Sequence, residues 1–459
     1  MEQYLEKLLS QIRCKKARPY IAEELKGHIE CQIEDNMQEG MSHVEAERKA
    51  VEDMGDPIEV GISLDRIHKP RIAWGLLLLV AIISVLGIWV QQSICHQKDF
   101  LNLEEQQQMI FQLYSDDFVN LVVMGIVLMS VVYFLDYTRI AKWAKVIGLY
   151  IIAMGVLVVV GFFGTDINGV RYRVGFGAFR IAAVPFMMLY VPVYGGILYK
   201  HRNGGWGDFI KVIGWLIIPV IITFEIPNVV AAGIMFISMF CQLTVAVLKG
   251  WFRIPVKRTL VGLWTAVLVL PVIIWGIMYS FHLLKWYQEE RIRCFLSGTG
   301  EGFYITKIIR IVLKKVQWMG NSEVHVIGNL PEFNSDYIFT YVIGTYGILA
   351  GLLIVLVLAT LVLAIFRAVF RQKNQLGLVM GVGCGALILA NIGINLLGAV
   401  GAIPPASSFL PFFSLGRDNV LLSYVLVGIV LSIYRYKDVY PANVNDVHMT
   451  IRKKFTINI

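Results

Sequence analysis

Residues 337–366 read YIFTYVIGTYGILAGLLIVLVLATLVLAIF, a run without a single Asp, Glu, Lys, Arg or His. A helix needs roughly 20 mostly apolar residues to cross a ~30 Å hydrocarbon core, so this run is read as a transmembrane span. Comparable stretches lie at 72–91, 118–136, 144–164, 180–199, 209–226, 228–248 and 259–281 before it, and at 376–400 and 419–435 after it, about ten spans in all. Two of them must turn at Glu225-Ile226-Pro227-Asn228 with almost no loop. Composition agrees: the 459 residues are 57% hydrophobic and 16% charged, against roughly a quarter charged in a soluble domain. The expected fold is all-α, a polytopic membrane protein with a small soluble helical bundle at its N-terminus. Residues 1–71 are polar and heavily charged, with no secretory signal, so the first span is expected to act as its own uncleaved insertion signal.

Lys and Arg set the orientation. With residues 1–71 inside, alternate loops are basic: Arg139, Lys142 and Lys145; Lys200, Arg202 and Lys211; Lys249, Arg253, Lys257 and Arg258; Arg367, Arg371 and Lys373; and finally Arg435, Lys437, Arg452, Lys453 and Lys454. The acidic stretch Glu104, Glu105, Asp116, Asp117 falls outside, and an even number of spans puts both termini inside. The formal charge of +8 is largely this bias, which argues against nucleic-acid binding. Cys95 and Cys294 fall in outside loops, where pairing is open, and no Cys/His spacing resembles a zinc site.

Three segments follow from this frame: 1–70, 71–437 with a large outside loop over 282–336, and a cytoplasmic tail at 438–459. In the first, Ser42-x-x-Glu45 is a capping box and Gly55 then Pro57 close that helix. Tyr4, Leu5, Leu8, Leu9 and Ile12 recur at helical spacing, as do Ile21, Leu25, His28 and Ile29. His28 is expected to be packed rather than liganding.

Chemistry is expected at the outside face. The loop 282–336 holds Tyr287-Gln288-x-x-Arg291 and a basic amphipathic stretch, Ile305 to Trp318, with Lys307, Arg310, Lys314 and Lys315 among apolar neighbours. Two readings stand side by side: a helix in the headgroup plane with cations toward lipid phosphates, or a solvated loop helix. The loop ends Leu330-Pro331-Glu332-Phe333-Asn334-Ser335-Asp336. A carboxylate at the mouth of a span is costly unless solvated or paired, which marks Asp336 as a site candidate; a solvated helix N-cap is the alternative. Between the last two spans, Asn395 to Pro404 and Leu410-Pro411-Phe412-Phe413-Ser414-Leu415-Gly416 break the helix at membrane depth. Such backbone survives only against protein or a wet cavity. The run Gly381-x-Gly383-x-Gly385 is read as close helix packing rather than nucleotide binding.

These motifs resemble the SEDS family, the FtsW/RodA/SpoVE group of bacterial cell-wall glycosyltransferases. Its members read Leu-Pro-Glu-x-x-Thr-Asp-Phe-Ile-Phe where this chain has Leu330 to Phe339. Asn395, Gly401, Pro404, Leu410, Pro411, Phe412, Ser414 and Gly416 fall in the register of the family's last loop. Tyr287-Gln288-x-x-Arg291 and Tyr304 resemble its large loop. The segment 1–70 resembles the helical prefix domains found before some bacterial permeases and envelope proteins, which points to protein–protein contact or regulation; a stabilising cap is the alternative. There are departures. Arg171-Tyr172-Arg173 replaces Arg-Arg-Trp, Ala183-Val184-Pro185 and Met188 replace Pro-Ser-Glu-x-x-Lys, Pro227-Asn228 replaces Pro-Asp, Gly344-Thr345-Tyr346 replaces Gly-Glu-Glu, and Gly416-Arg417-Asp418-Asn419 replaces Gly-Gly-Ser-Ser. The chain is a divergent member by this measure.

The resemblance implies a peptidoglycan glycosyltransferase of the bacterial cytoplasmic membrane, multi-pass with both termini cytoplasmic, polymerising lipid II. Asp336 would be the catalytic carboxylate. Arg171, Arg173, Arg291, Glu332, Asn395, Ser414 and Arg417 would bind substrate. No cofactor is certain, with a divalent cation (Mg or Mn) a candidate to share the pyrophosphate's charge. The implied partners are a class B penicillin-binding protein and membrane lipids. Two alternatives stay open: a catalytically weakened regulator or scaffold of envelope synthesis, and a lipid flippase or transporter.

Overall fold

The computed structural model describes residues 1–97, 105–163, 166–167, 170–171, 173–175, 181–226, 228–281, 293–295, 297, 304–322, 326–404 and 407–441. They form two compact units. One comprises Met1–Ala73, Ala368–Leu378 and the described residues from Leu431 onward; the other comprises Trp74–Arg367 and Val379–Val430.

In the first unit, Glu2–Ser10, Arg18–Gln38, His43–Asp53 and Pro57–Ile67 are helices. The capping box at Ser42 and Glu45 is present in full, and Asp56 caps the next helix, with Pro57 at its first turn. Tyr4, Leu5, Leu8, Ile12, Ile21, Ile29 and Ile33 are buried among Ala46 and Ala50. His28 is exposed, not packed: the burial stripe of its helix runs through Ile21, Ile29, Ile33 and Asn36 and leaves it outside. Within the same unit the bundle meets the chain that leaves the last span. Arg71 Nε pairs with Asp438 at 2.8 Å, Lys16 Nζ reaches the Tyr436 hydroxyl at 3.1 Å, and Tyr20 stands edge-on to Tyr440.

Seven helices among the described residues are long and apolar enough to cross a membrane: Trp74–Ile94, Ser115–Phe134, Trp206–Glu225, Val229–Leu248, Ile348–Phe370, Gln375–Ala399 and Arg417–Arg435. Ala144–Val160 is shorter, and Val256–Ser280 is a further apolar helix. Two expected spans are broken. The stretch 180–199 divides into Ala183–Met188 and Tyr190–Lys200. The stretch 337–366 divides at Gly347, between Ile338–Tyr346 and Ile348–Phe370. Gly347 sits at φ +91°, where an added Cβ would lie 2.7 Å from the Trp318 carbonyl, so only glycine makes that break comfortably. The short turn after Glu225 is closed by Asn228, which accepts from the Ala231 N–H at 2.9 Å. Small residues let helices approach: Gly383 lies directly against the Gln242 side chain and Gly385 against Ile365 and Phe366. Among the described residues the strands form two antiparallel pairs, Asp166–Ile167 with Val170–Arg171 and Arg173–Val174 with Ile181–Ala182.

Candidate active site

The site is built by two turns. In the first, the N–H groups of Ser335 and Tyr337 both donate to the Glu332 carbonyl, at 3.0 and 3.1 Å, and Glu332 adopts φ +52°. In the second, Phe413 and Ser414 donate to the Leu410 carbonyl, and Phe412 adopts φ +69°. A left-handed conformation costs a non-glycine residue roughly 1–2 kcal/mol, so both turns must be held by their surroundings.

Three side chains do this. Gln91, near the end of the first span, donates from one amide nitrogen to the carbonyls of Asn334 (2.8 Å) and Phe413 (2.7 Å), one in each turn. Asn395 donates to the carbonyls of Asp336 (2.8 Å) and Ser408 (2.9 Å). Ser414 Oγ donates to the Ser335 carbonyl and accepts from the Leu410 N–H, both at 2.7 Å. The Leu415 N–H adds a bond to the Asn334 carbonyl at 2.9 Å. Asn395 lies within the helix Gln375–Ala399, close to the bounds expected for that span, and irregular backbone begins at Val400. Gly87 completes the frame, because the first span presses there directly against the Phe412 carbonyl.

The result is a half-buried Asp336 carboxyl at the head of the broken span. Burial pushes its pKa up to about 7; the Glu332 carboxylate pushes the same way, and a hydrogen bond with Ser407 pulls back. The residues just before it in the turn, Glu332 and Ser335 among them, line a cavity of about 760 Å³ together with Asp117, Tyr304, Asn329, Arg417 and apolar groups; Asp336 itself is not among the lining residues. Arg417 also lines an adjoining apolar groove of about 320 Å³ with Met124, Leu128, Pro185, Phe186 and Leu422.

Asp336, Glu332, Asn395 and Ser414 are thus brought together at one turn, and Arg417 lines the cavity with Glu332. Arg417 Nε lies 3.4 Å from Asp418, and the other Asp418 oxygen accepts from the Ala182 N–H at 2.8 Å. Ala182 is the register partner of Arg173, which is exposed; a backbone pair and a carboxylate therefore link the neighbourhoods of Arg173 and Arg417. Arg171 pairs in register with Asp166. Arg291 and Tyr287-Gln288 lie outside the described residues. Among the described residues no group of three or more His, Cys, Asp or Glu is arranged to hold a metal ion; Asp117 and Glu332 are two carboxylates on one cavity. Cys95 and Cys294 are free thiols. Sequence reasoning missed Gln91, Asp117, Asn329 and Asp418. A glutamine within an otherwise apolar span was the available signal for Gln91.

Known proteins share this architecture. The chain covers 98% of a component of a peptidoglycan synthase complex described as coordinating polymerization and crosslinking, with 80% of its own length aligned, a TM-score of 0.62 and 20% identity. It covers 97% of the rod shape determining protein RodA of Thermus thermophilus, with 80% of its own length, at a TM-score of 0.55 and 16% identity. In sequence it is 24% identical over 339 residues to the peptidoglycan glycosyltransferase MrdB of Helicobacter pylori, 70% of this chain and 82% of that protein. It is 25% identical over 323 residues to the stage V sporulation protein E of Bacillus subtilis, 68% and 84% of the two chains. The family model for FtsW/RodA/SpoVE cell cycle proteins matches residues 71–439, a stretch that holds both turns, all three clamping side chains and the cavity. The chain belongs to the FtsW/RodA/SpoVE family of cell cycle proteins.

Proposed function

We propose that this chain is a peptidoglycan glycosyltransferase that polymerises lipid II at the outer face of the bacterial cytoplasmic membrane. The observation that carries the reading is the Asp336 carboxyl, raised to about 7, in a turn whose main-chain carbonyls Asn395 and Ser414 hold and whose neighbouring residues Glu332 and Ser335 line the cavity. A general base works best with a pKa near the operating pH. As the acceptor sugar's 4-hydroxyl attacks the donor's anomeric carbon, the new C–O bond forms and the bond from that carbon to the pyrophosphate oxygen breaks. The hydroxyl proton passes to Asp336, and the bonding pair leaves on the lipid pyrophosphate.

That leaving group needs positive charge. Arg417 stands where the polar cavity meets the apolar groove, a position suited to a pyrophosphate joined to a polyprenyl tail. By their place in the sequence, Arg173, Arg171 and Arg291 are further candidates. Mg²⁺ binds well to one or two carboxylates plus substrate phosphates, so Asp117 and Glu332 are the residues that would hold a divalent cation, whose chemistry would be neutralising pyrophosphate charge. Ten spans with both termini cytoplasmic, and a class B penicillin-binding protein as the cross-linking partner, complete this reading. Relatives named peptidoglycan glycosyltransferase and a structural neighbour from a peptidoglycan synthase complex that coordinates polymerization and crosslinking support the transferase and its partner.

A second reading, a regulator or scaffold of envelope synthesis, is favoured by one observation. The helix Ala183–Met188, where the resemblance places an acid and a base, carries neither and buries Ala183, Pro185, Met187 and Met188. The test is glycan synthesis by the full chain reconstituted with a class B penicillin-binding protein. Polymer from labelled lipid II supports the transferase. Binding of lipid II without polymer, under every metal and partner condition, moves the chain to the second reading.

A further inference from the structure

The helix Tyr304–Lys315 divides cleanly into two faces. Thr306, Ile308, Ile309 and Val312 are buried; Val312 lies toward Gly344, and Ile309 toward Gly401. Its apolar face is therefore used up inside the protein. The opposite face is exposed and presents Lys307, Arg310 and Lys314 at i, i+3 and i+7, with Lys315 and Ile311 beside them. Among the described residues, Lys307, Lys314 and Lys315 have no ion pair.

The chain just beyond the helix fixes its level. The Ile348 N–H donates to the Gln317 carbonyl at 3.0 Å and the Leu349 N–H to the Trp318 carbonyl at 3.2 Å. Trp318 and Met319 are 68% and 72% exposed. From Leu349 an exposed stripe runs down the span through Leu352, Leu353, Leu356 and Leu363, the spacing of a lipid-facing surface. Trp318 thus sits at the top of that stripe, where tryptophans mark the membrane–water interface. The cation row begins one turn away from it.

We propose that Lys307, Arg310, Lys314 and Lys315 form a binding surface for anionic phospholipid headgroups of the outer leaflet. The charge row complements lipid phosphates, and the exposed Trp318 and Met319 sink toward the acyl boundary below it. The proposal rests on Ile348–Phe370 being a span, and not on the transferase reading. The surface anchors the segment that leads into the site: Tyr304, at the start of this helix, lines the cavity.

Native mass spectrometry of the full-length chain in detergent, titrated with phosphatidylglycerol or phosphatidylcholine, tests this. Wild type is expected to retain phosphatidylglycerol preferentially, and less as salt rises. K307Q/R310Q/K314Q/K315Q is expected to weaken that binding about ten-fold or more, since each near-surface cation supplies roughly five-fold. K307R/K314R/K315R, which keeps the charges, is expected to bind as wild type, as is K249Q/R253Q on the other side. Equal retention of the two lipids by wild type overturns the proposal. So does unchanged phosphatidylglycerol binding in the neutral variant, including the case where that variant loses lipid II or a penicillin-binding partner instead. The salt response and the lipid preference are read on wild type, so they decide the proposal even where the neutral variant fails to fold.

Discussion

The side-chain amide of Asn395 donates to the main-chain carbonyl of Asp336 at 2.8 Å, across 59 residues of sequence. The same nitrogen holds the Ser408 carbonyl, so one residue fixes both the carboxylate's turn and the loop before the last span. Asn395→Leu leaves two carbonyls without that donor. It is expected to destabilise the protein by about 1–3 kcal/mol and to lower polymerisation more than ten-fold while lipid II still binds. A thermal melt and a turnover assay on the same preparation check both.

Asp336 predicts opposite signs for activity and stability. With its pKa raised to about 7, the base is ionised above pH 7, so the rate is expected to rise with pH and level off above that value. The carboxyl is easier to ionise in the unfolded chain, so its charge costs stability as pH rises through the ordinary carboxylate range toward 7. Asp336→Asn is therefore expected to abolish polymerisation and raise thermal stability at pH 8, by on the order of 1–3 kcal/mol. Equal or lower stability at that pH contradicts the assigned environment.

Gln91 is expected to matter although it is buried and spends its amide on main-chain carbonyls. Gln91→Leu removes the donor shared by Asn334 and Phe413 and frees both left-handed turns, lowering the maximal rate with little change in KM. Gly87→Val, which forces a side chain onto the Phe412 carbonyl, is expected to produce the same loss from the other direction. Steady-state kinetics on lipid II distinguish this from a binding defect.

Arg417→Gln is expected to raise KM for lipid II by about ten-fold, the size of one charge-assisted contact, with Arg417→Lys recovering part of it. A competing soluble pyrophosphate should inhibit wild type more strongly than the Gln variant. Equal inhibition would remove Arg417 from the anion site.

Hydropathy made the spans legible, because an apolar run long enough for a bilayer has few other fates. The motif around Asp336 was legible too, as a resemblance. The break at Gly347 was not, since a glycine in an apolar run reads as helix packing until the Trp318 carbonyl beside it is known. His28 misled for a related reason: helical spacing gave it an apolar neighbourhood, but burial on that helix follows Ile29 and Ile33. The role of Gln91 depends on partners 243 and 322 residues away, and no local pattern encodes contacts of that range. The clamping function of Asn395 was hidden for the same reason, since one of the carbonyls it holds lies 59 residues away.

The central claim is that Asp336 takes the proton from the acceptor hydroxyl. Its most direct test is glycan-strand formation from labelled lipid II by wild type and Asp336→Asn, with lipid II binding measured in parallel. Strands from wild type, none from the variant and equal binding by both are the predicted result. Strands from both proteins at similar rates would contradict it.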